Sequence, residues 1–322
     1  MTGEGMEPKD GQRLNRFLSQ AAGVSRRTAD GMIRMGRVTL GGSRVNEPGT
    51  LFDPDRGEVR LDGNLLALIP EEPLYLMAYK PDKVVTTMKD KEGRKTAASL
   101  VGSLSSRVFP VGRLDFHTTG LLLFTNDGDL SYRLTHPKFG VDKTYVAKVK
   151  GTPSQGKLGV LRRGLPIDGV MTNPAGVNLL EAREGKAWVS IRIAEGRYQQ
   201  VRKMFDAIGH RVMKLRRVAV GPIELSNLEP GGWRYLTGKE VRELFAYLEK
   251  KEREPERSGP RPVSAVPRGE KKGPRQPKPE WKRQPKDSGE RGPKGEDRTT
   301  PRPGPSRKKS SSGDSRFPRF KT

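Results

Sequence analysis

Residues 108–128 read Val-Phe-Pro-Val-Gly-Arg-Leu-Asp-Phe-His-Thr-Thr-Gly-Leu-Leu-Leu-Phe-Thr-Asn-Asp-Gly, and they set the fold of the larger part of the chain. Two apolar runs, 108–111 and 121–124, have the length and bounding residues of buried strands. The polar loop between them carries Arg113, Asp115, His117, Thr118 and Thr119. Gly112 and Gly120 flank it, and glycine permits backbone angles and close approaches that other residues resist. Asn126-Asp127-Gly128 supplies a tight turn, and Asp127 is placed to cap a short helix bearing Leu130 and Leu134. An acidic side chain on a loop between buried strands is well placed to meet a ligand. An aspartate there serves a turn or a cap as readily.

Working outward, residues 74–79 read as a strand that Lys80-Pro81 ends. Tyr145, Ala147 and Val149 alternate with polar or outward positions, as in a strand with one buried face. Ala187, Val189, Ile191 and Ile193 repeat that period of two, and residues 212–220 return to strand. Val201, Met204, Phe205 and Ile208 give a helical stripe stopped by Gly209. Thr237 and Glu240 form a capping box for a last helix with Val241, Leu244, Phe245 and Leu248 inward. Strands predominate without βα regularity, which predicts an α+β domain over residues 74–250 with a mostly antiparallel mixed sheet and flanking helices.

Residues 11–70 make a separate unit, joined to it by a proline-bearing linker at 67–73. Leu14, Phe17, Leu18 and Ala21 form the stripe of an amphipathic helix closed by Gly23. Ser25 is a good N-cap for a second helix with Ala29, Met32 and Ile33 inward, ended by Gly36. Short strands follow around Gly41-Gly42, and residues 58–66 read as one further strand. Arg13, Arg16, Arg26, Arg27, Arg34, Arg37 and Arg44 face a single acid, Asp30, over residues 11–44. A merely solvated helix face mixes both signs, whereas a guanidinium fork suits phosphate, so this unit reads as a nucleic-acid binder.

Charge agrees. The 322 residues carry a net charge of +24, of which residues 251–322 account for +12 and the other 250 residues for +12. The body is therefore basic in its own right, and phosphate neutralisation makes nucleic acid the leading partner. Residues 251–322 hold 13 of the 26 prolines and almost no apolar residues, a composition that predicts a disordered basic tail. With no cysteine there are no disulfides, thiol nucleophiles or Cys-based zinc sites, and His117, His136 and His210 lack metal-ligand spacing. No apolar run reaches the roughly 18 residues of a membrane span, and the N-terminus lacks the apolar core of a signal peptide. A cytoplasmic protein without a membrane partner, acting as a monomer, is expected.

Two resemblances sharpen this. Gln-Arg-Leu-Asn-Arg-Phe-Leu at 12–18, Gly-Val-Ser-Arg-Arg-Thr-Ala at 23–29 and Ile-Arg-Met-Gly-Arg-Val at 33–38 resemble the ribosomal S4-like RNA-binding domain. Residues 112–128, Lys143-Thr-Tyr-Val-Ala, and 195–205 followed by Leu215-Arg-Arg-Val and Gly221-Pro222 resemble the RsuA/RluB type of ribosomal RNA pseudouridine synthase. That resemblance implies Asp115 as the catalytic aspartate, Tyr145 as the ring stacking on the target uracil, and Arg202 as the basic residue paired with Asp115. It implies Leu215 as apolar packing at the active site and Arg113 as a contact to the RNA backbone near a flipped base. The reaction detaches uracil from ribose C1′ and rejoins it through C5. Asp115 suits it as a nucleophile or as a base, and the sequence leaves both open. No redox step or phosphate transfer is involved, so neither cofactor nor metal is implied.

Two positions depart from the family pattern. Tyr79-Lys80-Pro81-Asp82-Lys83 stands where Asn-Lys-Pro-x-Gly is usual, and Gln199 stands where Arg or His is frequent. The expected function is site-specific isomerisation of uridine in ribosomal RNA, free or within an assembly intermediate, with the large-subunit branch favoured by residues 84–87 and 108–112. The alternatives are a small-subunit enzyme and a non-catalytic RNA-binding or ribosome assembly factor.

Overall fold

The structure is a computed structural model that describes residues 11–54, 57–68 and 71–253. Six short strands and two helices form the N-terminal unit: β1 (Gln12–Arg13), α1 (Leu14–Ala21), α2 (Arg26–Arg34), β2 (Val38–Leu40), β3 (Ser43–Arg44), β4 (Leu51–Phe52), β5 (Val59–Leu61) and β6 (Asn64–Leu65). Ser25 caps α2 by accepting from the Thr28 amide at 3.0 Å, and Gly23 and Gly36 take positive φ behind the two helices. Leu14, Phe17, Leu18, Ala29 and Ile33 pack with Val38, Phe52 and Val59 into a core of their own. The strand expected over 58–66 is instead a hairpin, β5–β6. Asp62 and Gly63 both take positive φ, the backbone of a two-residue turn that Asp-Gly favours.

The second domain is built on β7 (Tyr75–Lys80), β8 (Phe109–Pro110), β9 (Thr118–Thr125), β10 (Lys143–Lys150), β11 (Pro166–Ile167), β12 (Val170–Met171), β13 (Gly176–Arg183), β14 (Lys186–Ile193), β15 (Val212–Val220), β16 (Ile223–Glu224) and β17 (Trp233–Tyr235). Its helices are α3 (Gly128–Thr135), α4 (Gln155–Arg163), α5 (Gln200–Ala207) and α6 (Gly238–Arg253). The main sheet runs β13-β14-β10-β15-β9-β7-β17. Only β15 and β9 pair parallel; the other neighbours are antiparallel. The protein is thus an α+β chain with a mixed, mostly antiparallel sheet, as the sequence predicts.

Each face of the sheet buries its own cluster. α4 and α5 cover one through Leu158, Leu161, Val201, Met204 and Phe205. α3 and α6 cover the other through Leu130, Leu134, Leu244 and Leu248. Strand β9 lies between the two, with Leu122 and Phe124 in the first cluster and Leu121 and Leu123 in the second. That is why 121–124 is an unbroken apolar run rather than an alternating one. The capping box forms as read: the Glu240 amide donates to the Thr237 hydroxyl, and the Glu240 carboxylate accepts from the Thr237 amide at 2.8 Å. Helix α6 continues to Arg253, three residues into the expected tail. The tail proper, from residue 254, lies outside the described residues.

Candidate active site

Asp115 leaves the sheet on the loop between β8 and β9, and several bonds hold that loop. Thr86 pins it from one side, its hydroxyl donating to the Leu114 carbonyl at 2.7 Å and accepting from the Leu114 amide. The Thr118 amide donates to the Asp115 carbonyl at 2.9 Å, closing the turn that follows. Beneath it lies Lys80, wholly buried, whose ammonium donates to the carbonyls of Thr118 at 2.8 Å, Pro81 at 3.1 Å and Phe116 at 3.3 Å. Burial draws Lys80 down to about 8, against the pull of Asp82 and Asp115.

The two flanking glycines answer to geometry. Gly120 has φ +103°, and a β-carbon there would lie 2.2 Å from the Arg217 carbonyl oxygen. No side chain fits where β9 and β15 run parallel. Gly112 turns the chain into the loop with φ +71°. Lys83, by contrast, takes φ +59° without being glycine. The chain thus turns at this position without the family's glycine, with the Lys83 amide donating to the Phe116 carbonyl at 3.0 Å.

Opposite the loop, β10 and β15 present their inner faces. Tyr145 is in register with Arg217 and Ala147 with Leu215, and a bulge at Val218 shifts the ladder beside Tyr145. Asp115, Tyr145, Leu215 and Arg113 line one cavity of about 490 Å³. Thr118, Lys143 and Arg217 line it as well. Phe116 and Tyr198 stand at its wall, 37% and 71% exposed. The cavity has room for a nucleotide base and joins a carboxylate, an aromatic ring and several cations.

Arg202 is placed differently from its expected role. It lies on α5, and its guanidinium donates to the His117 carbonyl at 3.0 Å. Among the described residues no ion pair joins it to Asp115. Through that carbonyl Arg202 braces the loop from α5. The neighbouring 195–200 segment is a scaffold. Buried Glu195 accepts from the Asn173 amide at 2.9 Å, from Gln200 at 2.5 Å and from Arg197 at 3.1 Å. Gln199 sits in the left-handed region at φ +51° and lines the cavity.

The N-terminal arginines divide into two groups. Arg13, Arg26, Arg27, Arg34 and Arg44 are exposed, and among the described residues none of them has an ion-pair partner. Arg16 pairs with Asp129 of α3 at 2.6 Å and so ties the N-terminal unit to the second domain. Arg107 adds a bond to the Val24 carbonyl across the same junction. Arg37 pairs with Asp62 at 2.5 Å. Expected only to meet RNA, these two arginines also hold acids of the protein itself.

Lys80, Thr86, Lys143 and Arg217 escaped the sequence reading as site residues. The period-two pattern that placed Tyr145 inward also places Lys143 inward, and the parity of Leu215 places Arg217 inward. An inward charge on an otherwise apolar strand face was the available signal. Among the described residues no cluster of His, Cys, Asp and Glu is arranged to hold a metal ion, and no helix is long and apolar enough to cross a membrane.

An N-terminal unit bearing exposed arginines, this sheet, and an aspartate loop sharing a cavity with a tyrosine define the class, and comparison with known proteins agrees. Residues 74–207 match the RNA pseudouridylate synthase family and residues 12–56 the S4 domain. The chain belongs to the RNA pseudouridine synthases, intramolecular isomerases that convert uridine to pseudouridine in RNA. It is 40% identical over 237 residues to ribosomal large subunit pseudouridine synthase B of Bacillus subtilis, covering 73% of this chain and 96% of that protein. It is 35% identical to the protein of the same name from Yersinia pestis, over 74% of this chain and 77% of that one. A crystal structure of a pseudouridylate synthase, 31% identical, superposes with a TM-score of 0.52 over 72% of this chain and 99% of its own.

Proposed function

We propose that this protein isomerises a defined uridine of large-subunit ribosomal RNA, with the S4 domain gripping structured RNA and Asp115 acting at ribose C1′ or C2′. The observation that carries the reading is that Asp115, Tyr145 and Leu215, from three separate stretches of sequence, line one cavity of about 490 Å³. The target base leaves the RNA stack to reach it, because the reacting atoms are inaccessible inside a helix. Tyr145, 9% exposed with its ring on the cavity wall, offers a face for the uracil to stack on. Arg113, exposed on the lip, meets the backbone beside it. Arg202 serves the reaction by holding the loop through His117. The large-subunit assignment is supported by the two relatives named as large-subunit synthases.

Asp115→Asn in the purified protein is expected to abolish conversion while leaving RNA affinity nearly intact, and retained pseudouridine formation would sink the site assignment. Mapping pseudouridine in ribosomal RNA from cells with and without the gene tests the target. A site lost from the small-subunit RNA instead would move the assignment to that branch, and no lost site would favour an assembly role.

A further inference from the structure

Resting on that reading of the cavity, we propose that Lys143 and Arg217 form a cationic wall that holds the negative charge of the uracil while it is detached from ribose. The chemistry demands such a group. When the C1′–N1 bond breaks, its electron pair stays with the base, which becomes a monoanion spread over N1, O2 and O4. The sugar is compensated by the Asp115 carboxylate bonding to C1′, or by the electron pair of a C2′–H bond whose proton Asp115 has taken. The base then turns and C5 bonds to C1′, as the Asp115–C1′ bond breaks or as Asp115 returns its proton to C2′; the proton then leaves C5 and one is gained at N1. Atoms and charge balance without an outside reagent, and by either route the anion must be held in place between the two bonds.

The structure supplies two cations with no evident structural reason to be there. Arg217 is 3% exposed, and its side chain donates from Nε to the Leu121 carbonyl at 2.8 Å. The Lys143 ammonium donates to the Val141 carbonyl at 3.1 Å. Among the described residues neither has a carboxylate within ion-pairing distance. Asp142, adjacent to Lys143, is engaged by Lys251 at 3.4 Å and by the Tyr247 hydroxyl at 3.1 Å. A half-buried ammonium beside a buried guanidinium is repelled by it, and both forgo part of their hydration, a cost that an arriving anion offsets. Burial, and then Arg217, draw Lys143 down to about 8, against the pull of Asp142.

Position completes the argument. Lys143 and Tyr145 share one face of β10, and Arg217 stands in register with Tyr145 on β15. All three line the cavity that Asp115 enters. The Thr118 hydroxyl lines it too, 2% exposed and without a hydrogen-bond partner. An ammonium, a guanidinium fork and a free hydroxyl around the proposed stacking ring are donors suited to carbonyl oxygens that gain charge. A site preorganised for the anion, rather than for the neutral base, acts on the rate rather than on binding.

The test uses full-length protein carrying Lys143→Met or Arg217→Met, and ribosomal RNA transcripts made with uridine or with 5-fluorouridine, whose base is the better leaving group. We expect single-turnover loss of uridine to fall about 100-fold or more, RNA affinity to hold within twofold, and the defect to shrink at least tenfold on 5-fluorouridine. Lys143→Arg, which keeps the charge, should retain most of what Lys143→Met loses. Melting temperature should hold or rise in Lys143→Met, since a half-buried charge with a cationic neighbour is removed. Equal defects on the two transcripts, weakened RNA binding that accounts for the loss, as phosphate contact would give, or loss of the fold in Lys143→Met would each overturn the proposal. Asp115→Asn run in parallel separates the two claims. If it stays active the site reading fails; if it is inactive while both methionine variants turn over normally, only this inference fails.

Discussion

The ammonium of Lys80 lies 2.8 Å from the carbonyl oxygen of Thr118, directly under the loop that carries Asp115. A fully buried lysine, spent on three backbone carbonyls rather than on an acid, is a clamp on backbone geometry. Lys80→Met keeps the apolar stem and removes the donors. The Phe116 carbonyl retains the Lys83 amide, but the Thr118 and Pro81 carbonyls lose a donor, at about 1–3 kcal/mol for each left buried and unmet. We expect a net loss of about 1–3 kcal/mol in urea denaturation, offset in part by removal of a desolvated charge, and a fall in kcat of about 100-fold because Asp115 is no longer held to the geometry the reaction needs. Full turnover in Lys80→Met would show that the loop keeps its shape without the clamp.

At Lys83 the backbone holds φ +59°, a conformation that costs a non-glycine residue roughly 1 kcal/mol. The side chain is exposed, so a glycine here forfeits no core packing. Lys83→Gly should raise stability by a few tenths up to about 1 kcal/mol, the relief of strain exceeding the extra freedom gained by the unfolded chain. Activity should stay within twofold. Differential scanning calorimetry of the two proteins decides it, and a lower melting temperature would mean that Lys83 makes a favourable contact in solution.

Most of the architecture could be read from residue spacing because the sheet buries both its faces and its helices carry clear stripes. The Asp115 loop, Tyr145 and Leu215 were legible for the same reason, helped by a long family motif. What spacing cannot convey is the destination of a long polar side chain. Lys80 looked like the end of a strand, yet its stem follows the core and its head turns back under the loop. Arg202 looked like the partner of Asp115, yet a carbonyl two residues farther along claims it. The Asp62-Gly63 hairpin was missed because Val59 and Leu61 alternate as well in a strand of three residues as in one of nine.

The S4 arginines offer a graded test of RNA binding. Arg34 is exposed and lacks an ion-pair partner, whereas Arg37 shares its charge with Asp62 at 2.5 Å. Each phosphate contact adds about 0.7–0.9 to the slope of log affinity against log salt. Arg34→Ala should therefore reduce that slope by close to one contact. Arg37→Ala should change it by less, because a guanidinium already held by Asp62 makes no phosphate contact to lose. Filter binding from 50 to 300 mM salt measures both, and equal slopes would mean that the Arg37–Asp62 pair opens to admit RNA.

Raising the pH should move stability and activity in opposite directions. Lys80 and Lys143 both titrate near 8 in the folded chain, drawn down chiefly by burial, and near 10.4 when unfolded. Between these values the unfolded chain holds protons that the folded chain has released, so these two groups make stability rise with pH over that window; below about 8 both states are protonated and the penalty for burying the charges is felt in full. Turnover should fall over the same window if the charge on Lys143 is needed at the uracil. Lys143→Met should flatten the stability rise relative to wild type, while Lys143→Arg should carry wild-type activity to higher pH before it falls. Melting temperatures and single-turnover rates from pH 7 to 10 on the three proteins give both trends. A wild-type rate that stays constant through pH 9.5 would mean that the ammonium of Lys143 is not used.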